Sequence, residues 1–412
     1  MSFISPEYTA KISELLKSST LFLFERLEKN GSMYPFIDTK FDIVSGKDFG
    51  PQSEDFRQKD HIYGWVQGRG LEALAGAAEH FSNVGEEALA DRISAALARL
   101  VAALEKLRNN TGRLAFCMDL QGNSRFPAVQ TQNYTDLFYA KGLLAAGKLL
   151  QDAELAAKGK ELLDQVIESI INGSFQTDQH IFDPANRGGH AVGKFAQGPL
   201  MLALGGTALS GDRQTAERLI NTILVKHLNA GRFPGLQEYD FIEAVDADGQ
   251  PWREADGAIV CDPGHALEFI GLACKNLLTS SELPELAAKH FVSLFDRMFA
   301  IGFQENSGIM KSYDLSKHSP LDTNSPWWSL PEAIRAGVFL MKLFPDRKEH
   351  LSIAVEKMLK NFFTVFATQG THGFACQTCD KNGKVIQVIP AVPDADPLYH
   401  TNLALIDSIK LN

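Results

Sequence analysis

The amino-acid sequence predicts an all-α fold, an (α/α)6 barrel of six helical hairpins forming one domain over residues 1–412, with short β-hairpins in the long loops at one end. Three observations lead there. Apolar residues recur at helical spacing over most of the chain. The connections between helices alternate between very short ones and ones of roughly 20–30 residues. The starts of every second helix carry Trp65, Tyr134, Pro199, His265, Trp328 and His400, which follow one another at about 63 to 73 residues, the mark of a repeated unit.

Taken in order, the first helix falls at roughly 6–29 and the second at roughly 61–82, where Trp65-Val66-Gln67-Gly68-Arg69-Gly70 leads into Leu71 and Leu74. The third, roughly 87–108, is plainly amphipathic: Ile93, Leu97, Leu100 and Val101 share one face, with Arg92 and Arg99 off it. The fourth, roughly 132–150, contains Tyr134-Thr135-Asp136-Leu137-Phe138 and reaches the fifth, roughly 153–172, through Gln151-Asp152. The sixth and seventh fall at roughly 193–210 and 212–228. The eighth, roughly 263–279, is opened by Asp262-Pro263-Gly264 and precedes a ninth at roughly 284–303. Trp327-Trp328 begin the tenth, roughly 326–344, which Pro345-Asp346 join to the eleventh at roughly 347–368. The twelfth, roughly 398–410, opens at Pro397-Leu398-Tyr399-His400. Short links make antiparallel pairs, so every long loop emerges at the same end as the amino-terminal ends of the even helices. That end is the expected active face. Within its last loop, Asn382-Gly383 between Phe374-Ala375-Cys376 and the run Val385–Ile389 predicts a β-hairpin.

Composition narrows the function. Apolar residues make up 45% and charged residues 22% of the chain, a globular balance. With 40 basic and 50 acidic side chains the net charge is −10, the wrong sign for binding nucleic acid or an anionic membrane. Met1–Glu7 lacks the pattern of a signal peptide, and no apolar run reaches the ~18 residues of a membrane span, so a cytoplasmic location is expected. Five cysteines argue against a disulfide framework.

His265 and Glu268 stand three apart on one face at the start of the eighth helix. The positive end of the helix dipole disfavours imidazolium there, which suits a neutral general base; the plainer alternative is a packing histidine. His400 opens the last helix in the same manner, so the repeat points both imidazoles into one cavity, where they could remove and return a proton on opposite faces of a carbon. Trp327-Trp328 can stack on a pyranose or fill core, and Glu332 can take a hydroxyl or a proton. Arg69 lies in an otherwise apolar helix, where an unpaired guanidinium is costly, and therefore faces a partner or a polar ligand such as a developing oxyanion. Cys376 and Cys379 have metal-ligand spacing but no second pair follows. No metal and no cofactor are expected.

Over essentially its whole length the sequence resembles the N-acylglucosamine 2-epimerase superfamily, which includes cellobiose 2-epimerases and aldose–ketose isomerases and folds as an (α/α)6 barrel. The resemblance is carried by Trp65-Val66-Gln67-Gly68-Arg69, Tyr134-Thr135-Asp136-Leu137-Phe138, the run Asp262–Phe269, Trp327-Trp328 with Pro331-Glu332-Ala333, and Tyr399-His400. It implies that His265 and His400 are the proton-transfer pair. It further implies that Arg69 and Glu332 hold the reacting end of the sugar, and that Trp65, Tyr134, Glu268 and Trp328 line the pocket. A homodimer is implied by resemblance alone. One departure stands out: the third inner helix of the family usually carries a His and a Glu three residues on, where this chain has Gln197-Gly198-Pro199-Leu200-Met201-Leu202. His190, in the preceding loop, could reach the same space.

The leading expectation is C2 epimerisation of a free or N-acylated aldose through an enediolate, with mannose-type aldose–ketose isomerisation as its variant. A glycoside hydrolase on the same architecture would need paired carboxylates, for which Asp136, Glu268 and Glu332 are candidates. An interaction protein is a third reading, marked by an exposed apolar patch.

Overall fold

Twelve helices alternate along the chain, as the hydrophobic period requires. The computed structural model describes residues 2–182, 191–280, 282–388 and 392–412. The helices are α1 Pro6–Asn30, α2 Gly64–Asn83, α3 Glu87–Thr111, α4 Tyr134–Leu149, α5 Ala153–Ile171, α6 Gly198–Ser210, α7 Arg213–His227, α8 Pro263–Leu277, α9 Glu285–Gly302, α10 Ser329–Leu343, α11 Lys348–Asn361 and α12 His400–Ile409. Polar caps fix several starts: Asn133 and Asp136 form a capping box on α4, and Asp152, Asp212 and Asp262 each accept from the backbone of the helix they precede. The even helices pack in a closed ring, α2 against α4, then α6, α8, α10, α12 and back to α2, while the odd helices lie outside. Among the described residues no helix is long and apolar enough to cross a membrane.

Five hairpins are continuous in sequence; the sixth, α12 with α1, is split across the two ends of the chain. Asn412 closes it, its side-chain carbonyl accepting from the backbones of Phe3 and Ile4 and its amide donating to the Ile4 carbonyl.

The long loops meet at one end and are laced to one another by short antiparallel strands. Ile62–Tyr63 (β1) pairs with Cys117–Met118 (β2), and Phe195–Ala196 (β3) with Ala244–Val245 (β4). Val260–Cys261 (β5) pairs with Ser312–Asp314 (β8), which continues to Ser319–Asp322 (β9). Phe303–Gln304 (β6) folds back on Gly308–Ile309 (β7), and Ser325–Pro326 (β10) pairs with Thr378–Cys379 (β11). Lys40 of the first loop and Asp394 of the last complete the circle through a buried ion pair at 2.8 Å.

The strands explain where helix boundaries differ from expectation. α2, α6 and α10 start three to five residues late because β1, β3 and β10 occupy the preceding residues, and α11 ends in a π-turn over Phe362–Phe366. The turn at Asn382-Gly383 does form, closed by the Asp380 N–H to the Lys384 carbonyl at 2.8 Å. Its arms are Thr378–Cys379 and Val385–Ile386, in place of the expected 374–376 and 385–389; β11 pairs with β10 along its other edge, and Ile389 lies outside the described residues.

Helices α2 and α4 touch backbone to backbone. A Cβ on Gly68 would lie 2.7 Å from the Phe138 and Tyr139 backbones, and one on Gly142 would lie 2.5 Å from the Gly68 carbonyl oxygen. Replacing Gly142 with Ala therefore separates the helices that carry Arg69 and Tyr134. Although Ala is the better helix former, the variant should lose roughly 1–3 kcal/mol of stability, the usual range for overpacking. Denaturant unfolding measures it, and a stabilised variant would refute the close contact.

Candidate active site

Each inner helix delivers its first turn to the laced end, so residues distant in sequence converge. His265 stacks on Trp328 with ring centroids 5.1 Å apart, and His400 lies against the same indole at 5.7 Å. The repeat argument thus brings both imidazoles to one place, but their surroundings differ.

His400 Nδ1 is 3.1 Å from Glu332 Oε1 and 3.9 Å from Glu268 Oε1. A carboxylate facing Nδ1 holds a ring hydrogen on that nitrogen. Glu332 is buried, and its second oxygen binds Arg335, which also reaches Asp407 at 3.5 Å. Both of its oxygens are therefore engaged by protein groups, His400 on one side and Arg335 on the other. Glu268 is buried beside Glu332; burial, then that neighbouring charge, raises its pKa above the usual carboxylate value.

His265 is more accessible, its side chain 29% exposed. Its Nδ1 is 3.0 Å from Glu243 Oε1 and 3.4 Å from Asp262 Oδ2. Burial lowers its pKa, but Asp262 and Glu243 outweigh that and raise it to about 9. The expectation of a neutral ring at the helix start is thus reversed: two full negative charges at contact distance exceed the fractional charge of the helix end. In the resting site His265 is an imidazolium. Lys311 completes this corner, bound to Asp262 at 2.6 Å and lying 5.6 Å from the Trp328 ring.

Arg69 sits among aromatic faces, its guanidinium carbon 4.1 Å from the Phe138 ring centre, 5.4 Å from Tyr399 and 5.5 Å from Trp65. Its Nε is buried without a partner, and burial lowers its pKa. No carboxylate of the described residues lies within 4.0 Å of it, which leaves the guanidinium for a ligand. Trp65 and Tyr134 meet edge to face at 5.2 Å, and the Trp65 indole donates to Asp178 at 3.1 Å.

Other charged residues of the cluster escaped sequence reading. Lys141 is fully buried, bonded to the Tyr399 hydroxyl and 3.2 Å from Glu72. Like Arg69, it is a cation in an apolar inner helix, and that signal was present. Glu243 and Asp396 lie in loops, with no local pattern to mark them. The Gln197 side-chain amide, at the start of α6, reaches Glu243 Oε2 at 3.5 Å; it is the polar group this helix sends toward His265 in place of the missing His and Glu. His190 lies outside the described residues. Asp136 is engaged by Arg113 and the α4 cap.

Glu268, Glu332 and His400 place donor atoms within 4.8 Å of one another, the one such group found among the described residues. Arg335 already neutralises Glu332, so a cation there would sit against a guanidinium. Cys376 and Cys379 are buried with their sulfurs 3.5 Å apart.

Paired imidazoles on a tryptophan face, beside an unpaired guanidinium at the mouth of an α/α barrel, fit an isomerase-type carbohydrate enzyme. The chain belongs to the N-acylglucosamine 2-epimerase family, whose description, N-acylglucosamine 2-epimerase (GlcNAc 2-epimerase), matches residues 80–404. No curated protein matches the sequence significantly. Among solved structures, the cellobiose 2-epimerase of Bacillus thermoamylovorans B4167 is similar with a TM-score of 0.70 at 14% identity, covering 99% of this chain and 100% of that one. A D-mannose isomerase gives 0.66 at 16% identity, covering 96% and 99%. A family 76 glycoside hydrolase from a bovine Bacteroides thetaiotaomicron strain gives 0.57 at 10%, covering 100% and 78%. At these identities the likeness establishes the barrel alone.

Because the folded His265 pKa of about 9 lies above its ordinary 6.5, this contact stabilises the fold fully below about pH 6.5 and the contribution is lost as pH rises through about 9. Replacing Glu243 with Gln removes one of the two charges responsible. The His265 pKa, followed by NMR of the imidazole, should fall by about one unit or more; an unchanged value would mean that Asp262 alone sets it.

Proposed function

We propose that the chain is a sugar 2-epimerase or isomerase that moves the C2 proton of an open-chain aldose between two imidazoles. The observation that carries this reading is the pairing of His265 and His400 on Trp328, each facing a different set of carboxylates through Nδ1. In this reading His400, held by Glu332 through Nδ1, serves as the base through Nε2; His265, charged below about pH 9, serves as the acid.

In this reading Trp328 supports the sugar, and Arg69, with no carboxylate of the described residues within 4.0 Å, receives the carbonyl oxygen O1. His400 removes the C2 proton, and the electron pair moves through C1 onto O1, where the guanidinium stabilises the enediolate. His265 then protonates C2 from its own side to give the epimer. Protonation at C1 instead gives the ketose. Of the three carboxylates that a hydrolase reading draws on, Asp136 is engaged by Arg113 and Glu332 by Arg335 and His400, which leaves Glu268.

The test is proton NMR in D2O with D-glucose, D-mannose, N-acetyl-D-glucosamine, N-acetyl-D-mannosamine and cellobiose. Loss of a C2–H signal identifies both reaction and substrate, and no exchange from any of them would defeat the proposal. Replacing His265 or His400 with Asn should lower net epimerisation by the ~10²–10⁴ typical of a positioned acid–base group. Since His265 must be protonated to act as the acid, conversion in the direction it completes should decline as pH rises through about 9. A rate still rising above that value would reverse the two roles.

A further inference from the structure

The reaction proposed above employs His265, His400 and Arg69 and leaves one buried ionisable group of the same cluster without a task. Asp396 stands one turn ahead of His400, in the segment that leads into α12, and is 8% exposed. Neither of its carboxylate oxygens makes a well-formed hydrogen bond. Its electrostatic surroundings are His400, by both imidazole and backbone N–H, then Arg69 and the more weakly felt Glu332. Among the described residues no cation lies within 4.0 Å of it, although Asp394, two residues earlier, is fully paired with Lys40.

Arg69 is the complement. It feels Asp396, its Nε is unpartnered, and the two groups do not touch. A guanidinium and a carboxyl that are both buried and both lack a well-formed partner are an expensive arrangement. Asp396 also borders a small cavity with Ile43, Trp327, Phe374, Leu398 and Thr401, so the space beside it is not closed by packing. A ligand resolves the arrangement if it gives one oxygen to the guanidinium and two adjacent oxygens to the carboxyl. The O1 and O2 atoms of an open-chain aldose are such a set. Burial raises the Asp396 pKa above that of a free aspartate, which favours the protonated form that can donate.

We propose that Asp396 is a further catalytic residue that relays a proton between O1 and O2, and that it directs this chain toward aldose–ketose isomerisation of 2-hydroxy aldoses. The proposal rests on the reading of the site given above. As His400 takes the C2 proton, the Asp396 O–H protonates O1, leaving a neutral enediol, an imidazolium and a carboxylate. The other carboxylate oxygen then takes the O2 proton as O2 becomes the carbonyl, and the enediol electron pair takes the His400 proton at C1. Acid and imidazole are regenerated; the sugar has moved one hydrogen from C2 to C1 and one from O2 to O1. N-acylhexosamines carry no hydroxyl at C2 and cannot complete the relay, so they form no ketose.

The test compares the wild-type protein with Asp396→Asn and Asp396→Glu on D-glucose, D-mannose and N-acetyl-D-mannosamine in D2O, following C2–H exchange and ketose formation separately. Asn keeps a donor to O1 but cannot take the proton from O2. Ketose formation should therefore fall by ~10² or more while exchange falls less than about tenfold, and Glu should restore ketose formation. Three outcomes would overturn the relay: equal losses of exchange and ketose in Asp396→Asn, ketose formation within about threefold of wild type in that variant, or a wild-type protein that exchanges C2–H and yields only epimer. A wild-type protein that exchanges no sugar at all would remove the proposed function itself, and the relay with it.

Discussion

Taking a charge out of water costs several kcal/mol even after relaxation, and the inner ring of this barrel buries an unusual number of them. The organisation of the site follows from how that cost is met. Arg335 lies between Glu332 and Asp407, and Asp407 also holds Lys275 at 2.7 Å. Lys141 is held by Glu72 and Tyr399, and Asp262 by Lys311 and His265. Each pair joins different elements of the barrel or its rim, apart from Glu332 with Arg335, which share α10, and Asp262 with His265, which are the N-cap and first turn of α8. Against this paired background Arg69 and Asp396 stand apart among the described residues, with buried side-chain atoms that find no well-formed hydrogen bond and no opposite charge within 4.0 Å.

The same electrostatics makes two histidines in equivalent places unlike each other. Both begin an inner helix, both lie on Trp328, and both face a carboxylate through Nδ1. At His400 the carboxylate's second oxygen is neutralised by Arg335, so Glu332 acts on the ring chiefly by direction. At His265, Asp262 and Glu243 together hold a proton on the ring. Their charges stand 3.0–3.4 Å away, whereas the helix terminus offers about half a unit of charge spread over several N–H groups. A repeat predicts position, but the protonation state comes from the neighbours that each loop supplies.

Architecture was legible from the sequence because it depends on local rules. Helical periodicity, alternation of short and long links, and the spacing of Trp65, Tyr134, Pro199, His265, Trp328 and His400 act within one or two elements at a time. Arg69 was legible for a related reason: a cation in an apolar stretch needs an explanation wherever the stretch ends up. Lys141, between Ala140 and Gly142 on the next inner helix, met the same criterion. The pairing of β11 with Ser325–Pro326 was not legible, since it joins two distant loops and strands that short carry no decisive propensity.

The sequence by itself determined the barrel, the end at which its site lies, and the residues the inner helices present there, because side-chain direction in a helix is fixed by its period. Tertiary structure alone decided which carboxylates meet which imidazoles. Glu243 and Asp396 come from long loops whose paths are set by pairing with neighbouring loops around the rim, so no local pattern marks them. Coulombic interaction also falls with distance and grows with burial, and neither quantity exists until the loops are in place. For that reason the sequence could nominate two histidines, and only the assembled rim gave them different carboxylate neighbours.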